Sequence, residues 1–230
     1  MTAIPIHIAT DRTSRLILLA ALIFGAIYLL DDFGLGTPYP LNVVIKAGGV
    51  VLLGLYALKQ GRLWLGLGLL AGSAGDAFLA LEPTQQALGI LAFGIGHLIY
   101  IGLFADQLRR KGNRGLPGYL ATAVIAAFGV VMLVALQPHF GELRVAASVY
   151  NGIILVMVAL ALIGRAPPLA VIGALLFMVS DAVLAWRMFA GMLDWAGPVV
   201  WVCYFGGQAC IAVGLSQQLS PAGELQTPSR

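Results

Sequence analysis

Eight apolar runs, each about as long as a bilayer is thick, constrain the fold of this chain more than any other feature. Crossing the hydrocarbon core as a helix takes roughly 20 mostly apolar residues. Of the 230 residues, 60% are hydrophobic and 10% are charged, whereas soluble domains are about one quarter charged. Membrane β-strands are shorter and alternate in polarity. The sequence therefore predicts an all-α integral membrane protein, with eight transmembrane helices in a single transmembrane domain.

Short links rich in glycine and proline separate the predicted spans. The apolar run after Arg12 and Arg15 is followed by Asp31-Asp32, not by a small-residue cleavage site, so we interpret it as a retained first span. A polar tail is expected over residues 219–230. The spans are placed near residues 14–30, 41–59, 62–81, 85–106, 117–136, 144–164, 168–188 and 197–217.

The charged residues predict the orientation of the helices, because lysine and arginine collect on cytoplasmic links. The N-terminal segment and the even-numbered links hold Arg12, Arg15, Lys59, Arg62, Arg109, Arg110, Lys111, Arg114 and Arg165. The odd-numbered links hold Arg144 and Arg187 with the acids Asp31, Asp32, Glu82, Glu142 and Asp194. We therefore expect both termini in the cytoplasm and the protein in the cell inner membrane. The net charge of +3 belongs to this topology pattern, and no nucleic-acid partner is expected.

A short motif in the third span returns in the seventh. Gly75-Asp76-Ala77-Phe78-Leu79-Ala80 corresponds to Ser180-Asp181-Ala182-Val183-Leu184-Ala185. With eight spans the two helices run in the same direction, which favours two parallel four-helix halves. An ionised carboxylate in hydrocarbon costs a few kcal/mol. Two acids at matching positions are therefore candidates for a functional site.

Other polar residues fall at a similar depth in the predicted helices. Together they indicate a polar cavity in the outer half of the bundle. Each also has a structural interpretation, since a lysine can neutralise an acid or reach the interface and amides, tyrosines and histidine can join helices. The residues are Lys46 in the second span, His97 and Tyr100 in the fourth, Tyr150 and Asn151 in the sixth, and Tyr204 and Gln208 in the eighth.

The sequence argues against a metal site and against a serine nucleophile. A catalytic zinc ion takes about three protein ligands, but of the three histidines only His97 lies inside a predicted span, and His7 and His139 lie outside. Ser73 and Ser180 lie in spans without the G-x-S-x-G pattern of a nucleophile elbow. We expect no metal and no cofactor.

The pattern of polar residues resembles the YhhN/TMEM86 family of membrane lysoplasmalogenases along most of the chain, from the second to the eighth span. One departure is visible. The family often has Lys-Pro in the second span, and here Lys46-Ala47 would change the kink of that helix and the cavity mouth. The pieces of the resemblance are Lys46, Gly75-Asp76, Phe93, His97-Leu98-Ile99-Tyr100, Tyr150, Ser180-Asp181 and Tyr204-Phe205-Gly206-Gly207-Gln208.

The resemblance implies an eight-helix enzyme that hydrolyses the vinyl ether bond of a lysophospholipid, the lysoplasmalogen. The products would be a fatty aldehyde and glycerophosphoethanolamine or glycerophosphocholine. Acid cleaves a vinyl ether by protonating the alkene carbon, which gives an oxocarbenium ion that water attacks. Two close carboxylates that share one proton would provide the acid and the base, as in inverting glycosidases. We predict Asp76 and Asp181 as this catalytic pair, with their individual roles open.

The remaining polar residues would support the pair. Lys46 would tune its charge, and apolar helix walls would hold the alkenyl chain among membrane lipid. Asn151 and Gln208 would support the site by joining helices. Water and the headgroup would be positioned by His97, Tyr100, Tyr150 and Tyr204. Two other functions stay open at this point: a proton-coupled transporter of a small molecule or lipid, and a non-catalytic lipid-binding protein whose aspartates join helices. The sequence leaves the headgroup preference and the oligomeric state open.

Overall fold

The computed structural model describes residues 11–191, 193 and 195–217. His7, Asp194 and the polar tail predicted over residues 219–230 lie outside the described residues. In the described part, eight helices are long and apolar enough to cross a membrane, and this confirms the predicted all-α, multi-span membrane protein. The helices are α1 (Arg12–Leu30), α2 (Leu41–Lys59), α3 (Leu63–Ala80), α4 (Gln86–Lys111), α5 (Leu116–Leu136), α6 (Arg144–Ile163), α7 (Pro168–Phe189) and α8 (Ala196–Ser216).

The first span is longer than predicted at its C-terminal end. A π-helical turn, Asp31–Leu35, continues directly from α1. Asp31 and Asp32 therefore belong to the end of the first span and not to a link. Gly34 has φ +100° inside this turn and Gly36 has φ +70° after it. These left-handed conformations favour glycine, and they end the helical turn there.

The basic cluster predicted as a link also proves to be helical in part. Arg109 and Arg110 lie in the last turn of α4, where Asp106 forms ion pairs with them at 3.1 and 2.7 Å. Pairs three and four residues apart stabilise a helix, and cations suit the partial negative charge of a helix C-terminus. Both effects extend α4 to Lys111, beyond the predicted end at residue 106.

Glycines allow the closest helix contacts in the bundle. A Cβ on Gly173 of α7 would lie 2.6 Å from the carbonyl oxygen of Gly207, and a Cβ on Gly207 of α8 would lie 2.9 Å from that of Gly173. A Cβ on Gly96 of α4 would lie 3.0 Å from the carbonyl oxygen of Gly68 in α3. Helices in membranes approach closely where small residues face each other, and these contacts bring α3, α4, α7 and α8 together.

The helix neighbours follow the order of the chain within each half of the sequence. Helices α1 to α4 pack in succession, as do α5 to α8, and the halves meet through α2 with α8 and through α4 with α6. If α1–α4 corresponds to α5–α8, these last two contacts correspond to each other. This neighbour pattern is compatible with two parallel four-helix halves, which stay a prediction.

The end of the bundle assigned to the cytoplasm is tied together by charged and polar contacts. The backbone N–H of Ser14 donates to Asp11, which caps α1. Hydrogen bonding by the Ser14 side chain, followed by that of Lys59 and of the Ser14 backbone, lowers the pKa of the Asp11 carboxyl below its ordinary value. Lys59 at the end of α2 pairs with the same carboxylate at 3.2 Å. Arg114 donates to the carbonyl oxygens of Gly164 and Ala166 at 2.8 and 2.6 Å. The cavities described next lie towards the opposite end.

Candidate active site

Asp76 is buried where α3 meets α8, and its side chain is 2% exposed. The Tyr204 hydroxyl donates a hydrogen bond of 2.5 Å to its Oδ2. The residues around the acid are small: a Cβ on Gly72 would lie 2.7 Å from Gln208 Nε2, and a Cβ on Gly75 would lie 2.7 Å from the Phe93 ring. The glycines of the motif therefore make room for the neighbours that surround this carboxylate.

Asp181 occupies the matching position in α7 but is only half-buried. The Tyr150 hydroxyl of α6 donates a hydrogen bond to its Oδ2. Ser180, one residue before it, is buried and donates to the carbonyl oxygen of Val200 in α8 at 2.9 Å. The serine therefore fixes α7 against α8, while the aspartate faces the open space beside α6.

Both aspartates line one polar cavity near the ends of the helices that meet the odd-numbered links. Its volume is about 70 Å³, and one water molecule needs roughly 10–15 Å³, so several waters fit. Lys46, one of the predicted site residues, lies in its wall and within electrostatic range of Asp76. The polar and aromatic residues that line the polar cavity are Tyr28, Asp32, Lys46, Asp76, Phe93, Ser180, Asp181, Arg187, Trp201 and Tyr204.

A second, apolar cavity begins on the other side of Asp181. Leu79, Phe93, Asp181 and Leu184 line both cavities, so Asp181 is the acid at their junction. Asn151 lies in the wall of the apolar cavity and donates to the carbonyl oxygen of Gly129 at 3.5 Å, which joins α6 to α5. The apolar cavity is lined mainly by Phe128, Met132, Leu136, Phe140, Ile154, Leu155, Met178 and Phe189, with Tyr150 at its junction end.

Three of the predicted site residues lie behind the cavity walls. Tyr100 and Gln208 are each 1% exposed, and the Tyr100 hydroxyl donates to Gln208 Oε1 at 2.7 Å. Gln208 lies in turn beside the Tyr204 hydroxyl. His97 is also 1% exposed and belongs to neither wall. These side chains are therefore placed to support Tyr204 and the helix contacts. The role of His97 and Tyr100 in positioning water and the headgroup stays a prediction.

The imidazole of His97 has a defined tautomer. Its Nδ1 lies 2.7 Å from the carbonyl oxygen of Phe93, and because a carbonyl only accepts, Nδ1 carries the proton. Nε2 has no hydrogen-bond partner in the described part of the chain. The ring stands edge-on to Phe177 at 4.5 Å and to Tyr150 at 5.4 Å between ring centres. His97 thus packs against the tyrosine that holds Asp181.

A family model described as the YhhN family matches residues 41–215. The chain belongs to the YhhN family. The match begins at the start of α2 and ends in the last turn of α8. It therefore includes both aspartates, both tyrosines that donate to them, and Lys46, whereas Tyr28 and Asp32 lie before it.

Several relatives of this YhhN-family chain carry informative names. A Sus scrofa protein named lysoplasmalogenase TMEM86B is 33% identical over 177 residues, which cover 75% of this chain and 68% of that protein. The Homo sapiens protein of the same name is 31% identical over 147 residues, which cover 63% of this chain and 60% of that protein. The matched segment therefore spans less than two thirds of the human relative.

Bacterial proteins also match this YhhN-family chain. An Escherichia coli O157:H7 protein named uncharacterized membrane protein YhhN is 29% identical over 154 residues, which cover 64% of this chain and 72% of that protein. No solved structure matches the chain.

Sequence reasoning missed four polar or aromatic residues of the polar cavity in this YhhN-family chain. Asp32 and Arg187 were assigned to links, and Tyr28 and Trp201 were taken as parts of apolar spans. The structure places Arg187 in the last turn of α7 and turns Asp32 towards the cavity through the π-helical turn. The available signal was Arg187 itself, since it is one of two basic residues that break the charge pattern of the odd-numbered links.

Among the described residues, no group of three or more His, Cys, Asp and Glu side chains could hold a metal ion.

Proposed function

We propose that this protein is a membrane hydrolase that cleaves the vinyl ether bond of lysoplasmalogens. The products are a fatty aldehyde and glycerophosphoethanolamine or glycerophosphocholine. The names of the TMEM86B relatives support this activity. The structural observation that carries it is the position of the acids: Asp76 and Asp181 line one polar cavity, and Asp181 also borders an apolar cavity. A lipid with a reactive group between its polar and apolar parts fits such a pair of cavities.

Asp181 is the proposed general acid. The alkenyl chain occupies the apolar cavity, which brings the vinyl ether to the junction where Asp181 lies. Its carboxyl proton goes to the alkene carbon next to the alkyl chain, and the electron pair of the double bond forms the new C–H bond. The resulting cation is shared with the ether oxygen as an oxocarbenium ion. Tyr150 orients the acid by its hydrogen bond to Oδ2.

Asp76 is the proposed base. Lys46 lies within its electrostatic range, and the Tyr204 hydroxyl donates to it. Asp181 also receives a tyrosine hydrogen bond, so the difference between the acids is Lys46, and because a nearby cation stabilises a carboxylate the negative charge of the pair is assigned to Asp76. That charge stabilises the oxocarbenium ion across the polar cavity and takes a proton from the attacking water. The hemiacetal then collapses: its C–O bond to the glycerol breaks, the leaving oxygen takes the proton from Asp76, and the hydroxyl proton passes to Asp181, which restores the pair. The products are an aldehyde and an alcohol, and one water is consumed for each ether bond.

We further propose that the protein lies in the inner membrane with both termini in the cytoplasm. The positive-inside rule and the charges that follow the even-numbered spans support this orientation. Lysoplasmalogen would then enter from the outer leaflet, because both cavities lie towards the ends of the helices that meet the odd-numbered links.

The test is aldehyde release by purified protein in detergent, without any ion gradient. Three substrates with the same headgroup and chain length separate the alternatives: the vinyl ether, the saturated alkyl ether and the acyl ester. We expect aldehyde from the vinyl ether alone. In D₂O, brief reactions should yield aldehyde with one deuterium on the carbon next to the carbonyl, because protonation occurs there.

Two results would overturn the proposal. Cleavage of the ester without aldehyde from the vinyl ether would make the protein an esterase. Absence of any product, together with gradient-dependent uptake of the lipid into vesicles, would make it a transporter.

A further inference from the structure

One part of the polar cavity wall, formed by Tyr28, Asp32, Lys46, Arg187 and Gly197 and called the mouth below, contains two cations that the catalytic proposal does not fully use. Lys46 projects from α2 and Arg187 from the last turn of α7. In the described part of the chain, the ion pairs join Lys59 to Asp11 and two arginines to Asp106, and neither cavity cation takes part in one. Two half-buried cations that face a cavity without an ion pair form a site for an anion.

The start of α8 adds to this positive potential. Gly197 is the second residue of that helix and lies in the wall of the polar cavity. The first N–H groups of a helix have no partner within it, and they favour anions such as phosphate. In α8 the N–H of Ala196 donates to the carbonyl oxygen of Leu193 and Pro198 has no N–H, so of the first three residues at most Gly197 offers its N–H to an anion. A Cβ on Gly197 would lie 3.2 Å from Asp32 Oδ1 and 3.6 Å from Arg187 Nη1. Asp32, Arg187 and the helix start therefore meet at one point.

Asp32 places a negative charge beside the two cations. It lies within electrostatic range of both Lys46 and Arg187, and it is half-buried. Tyr28 is next to it, with its ring centre 5.2 Å from Lys46 Nζ and 4.3 Å from the ring of Trp201. The cavity mouth thus combines cations, a carboxylate and an aromatic pair, and aromatic faces attract ammonium groups.

We propose that this mouth binds the zwitterionic headgroup of a glycerophospholipid. The phosphodiester contacts Lys46, Arg187 and the N-terminus of α8, while the ethanolamine or choline ammonium contacts Asp32 and the Tyr28 ring. The inference rests on the proposed function only in taking a lysophospholipid as ligand. The two charges of the headgroup match the two signs of charge at the mouth, and the chain leads past Asp181 into the apolar cavity.

The experiment measures binding of saturated alkyl ethers, which are not substrates, to purified protein in nanodiscs by calorimetry. The ligands share one alkyl chain and differ in the headgroup: alkyl glycerophosphocholine, alkyl glycerophosphate without choline, and alkyl glycerol without phosphate. The variants are Arg187→Gln and Asp32→Asn. The matched controls are Arg144→Gln and Asp31→Asn, at the same end of the bundle but outside the cavity wall.

The expected result is a crossed pattern. Arg187→Gln weakens binding of both phosphate-containing ligands by about tenfold or more, as loss of a charged hydrogen bond does, and leaves alkyl glycerol binding unchanged. Asp32→Asn weakens the choline ligand but leaves or strengthens binding of the alkyl glycerophosphate. Arg187→Lys restores part of the affinity, which separates loss of charge from loss of folding. The control variants bind like the wild type.

Three results would overturn this inference. The first is equal weakening of all three ligands by either variant, which would indicate damage to the fold. The second is binding of the two phosphate ligands at wild-type strength in Arg187→Gln. The third is inorganic phosphate binding as tightly as the lipids with the same dependence on Arg187, which would make the site one for free anions.

Failure of the catalytic proposal would not change the result of this binding experiment. Because no ligand in this experiment is cleaved, the crossed pattern would still occur in a protein that releases no aldehyde. Conversely, aldehyde release with headgroup-independent binding would leave the hydrolase in place and remove the headgroup site.

Discussion

The two aspartates occupy matching positions in α3 and α7, yet their surroundings differ. Asp76 is 2% exposed, receives a hydrogen bond from Tyr204 and has Lys46 in its electrostatic range. Asp181 is half-buried, receives a hydrogen bond from Tyr150 and borders the apolar cavity. The residues opposite the acids on α2 and α6 account for much of this difference, since α2 provides a lysine where α6 provides a tyrosine.

This comparison shows how a repeated motif can carry two roles. An acid beside a cation keeps its negative charge, whereas an acid beside apolar walls favours its protonated form, because loss of water without a nearby cation penalises charge. If the halves arose from one motif, the neighbours and not the aspartates assign acid and base. The following predictions test that difference, beginning with the largest effect.

The largest effect is expected from removing either carboxylate. Asp181→Asn loses the proton donor and Asp76→Asn loses the base, and general acid–base catalysis is worth about 10²–10⁴-fold. Each variant should lower the rate of aldehyde release by about that factor while its chromatographic profile in detergent stays unchanged. Asp106→Asn is the matched control, because Asp106 lies at the far end of α4 in surface ion pairs, which contribute little. Near-wild-type turnover in either variant would remove that aspartate from the mechanism.

The next effect compares the two tyrosines that donate to the acids. Tyr204→Phe removes a hydrogen bond to a buried, ionised carboxylate, worth about 1.5–3 kcal/mol, or roughly ten- to hundredfold in kcat/KM. Tyr150→Phe removes a hydrogen bond to the protonated acid, worth about 0.5–1.5 kcal/mol, or roughly two- to tenfold. Tyr119→Phe, on a side chain that is 51% exposed, should change nothing. A larger loss from Tyr150→Phe than from Tyr204→Phe would reverse the roles assigned to the two aspartates.

Sequence reasoning predicted the spans and the two acids for the same physical reason. Hydrocarbon accepts long apolar helices and penalises charge, so the apolar runs and the carboxylates within them are both conspicuous. The ends of the spans were harder to predict, because charged residues near them were assigned to the links. The π-helical turn after α1 and the last turn of α7 carry Asp32 and Arg187 to the cavity, and no charge-counting rule predicts such a turn.

Sequence reasoning was also limited in predicting the direction in which each side chain faces. In a soluble protein the apolar stripe of a helix marks the face that packs inside, but a helix in lipid is apolar on every side. The depth of His97 and Tyr100 followed from the sequence, whereas their position behind the cavity wall did not. Asp76, Asp181 and Lys46 were easier to place, because charged side chains inside a membrane face the bundle interior or a water-filled cavity.

A smaller effect is expected from narrowing the apolar side of the junction. Ala147 of α6 lines the apolar cavity and is 7% exposed. In Ala147→Leu the larger side chain should fill part of the cavity, so that only shorter alkenyl chains fit. Each methylene displaced from apolar surroundings costs about 0.8 kcal/mol, or roughly fourfold in kcat/KM. The measurement is kcat/KM across substrates of increasing chain length. Val145→Leu, at a position 75% exposed on the same helix, is the control, and equal losses for short and long chains would contradict this use of the cavity.

The smallest effect is expected at the polar side, from adding one methyl group to Gly197. The new Cβ would lie 3.2 Å from Asp32 Oδ1, so the Asp32 carboxylate must move by a few tenths of an ångström. We therefore expect the KM of Gly197→Ala to rise about twofold, equivalent to about 0.4 kcal/mol, with kcat unchanged. Gly206→Ala on the same helix is the control, because nothing lies within 4 Å of its Cβ. Alanine favours a helix over glycine by up to about 1 kcal/mol, so neither variant should lower the Tm. A raised KM without a lowered Tm would therefore locate the effect in the headgroup site, whereas a fall in kcat alone would place Gly197 with the catalytic aspartates instead.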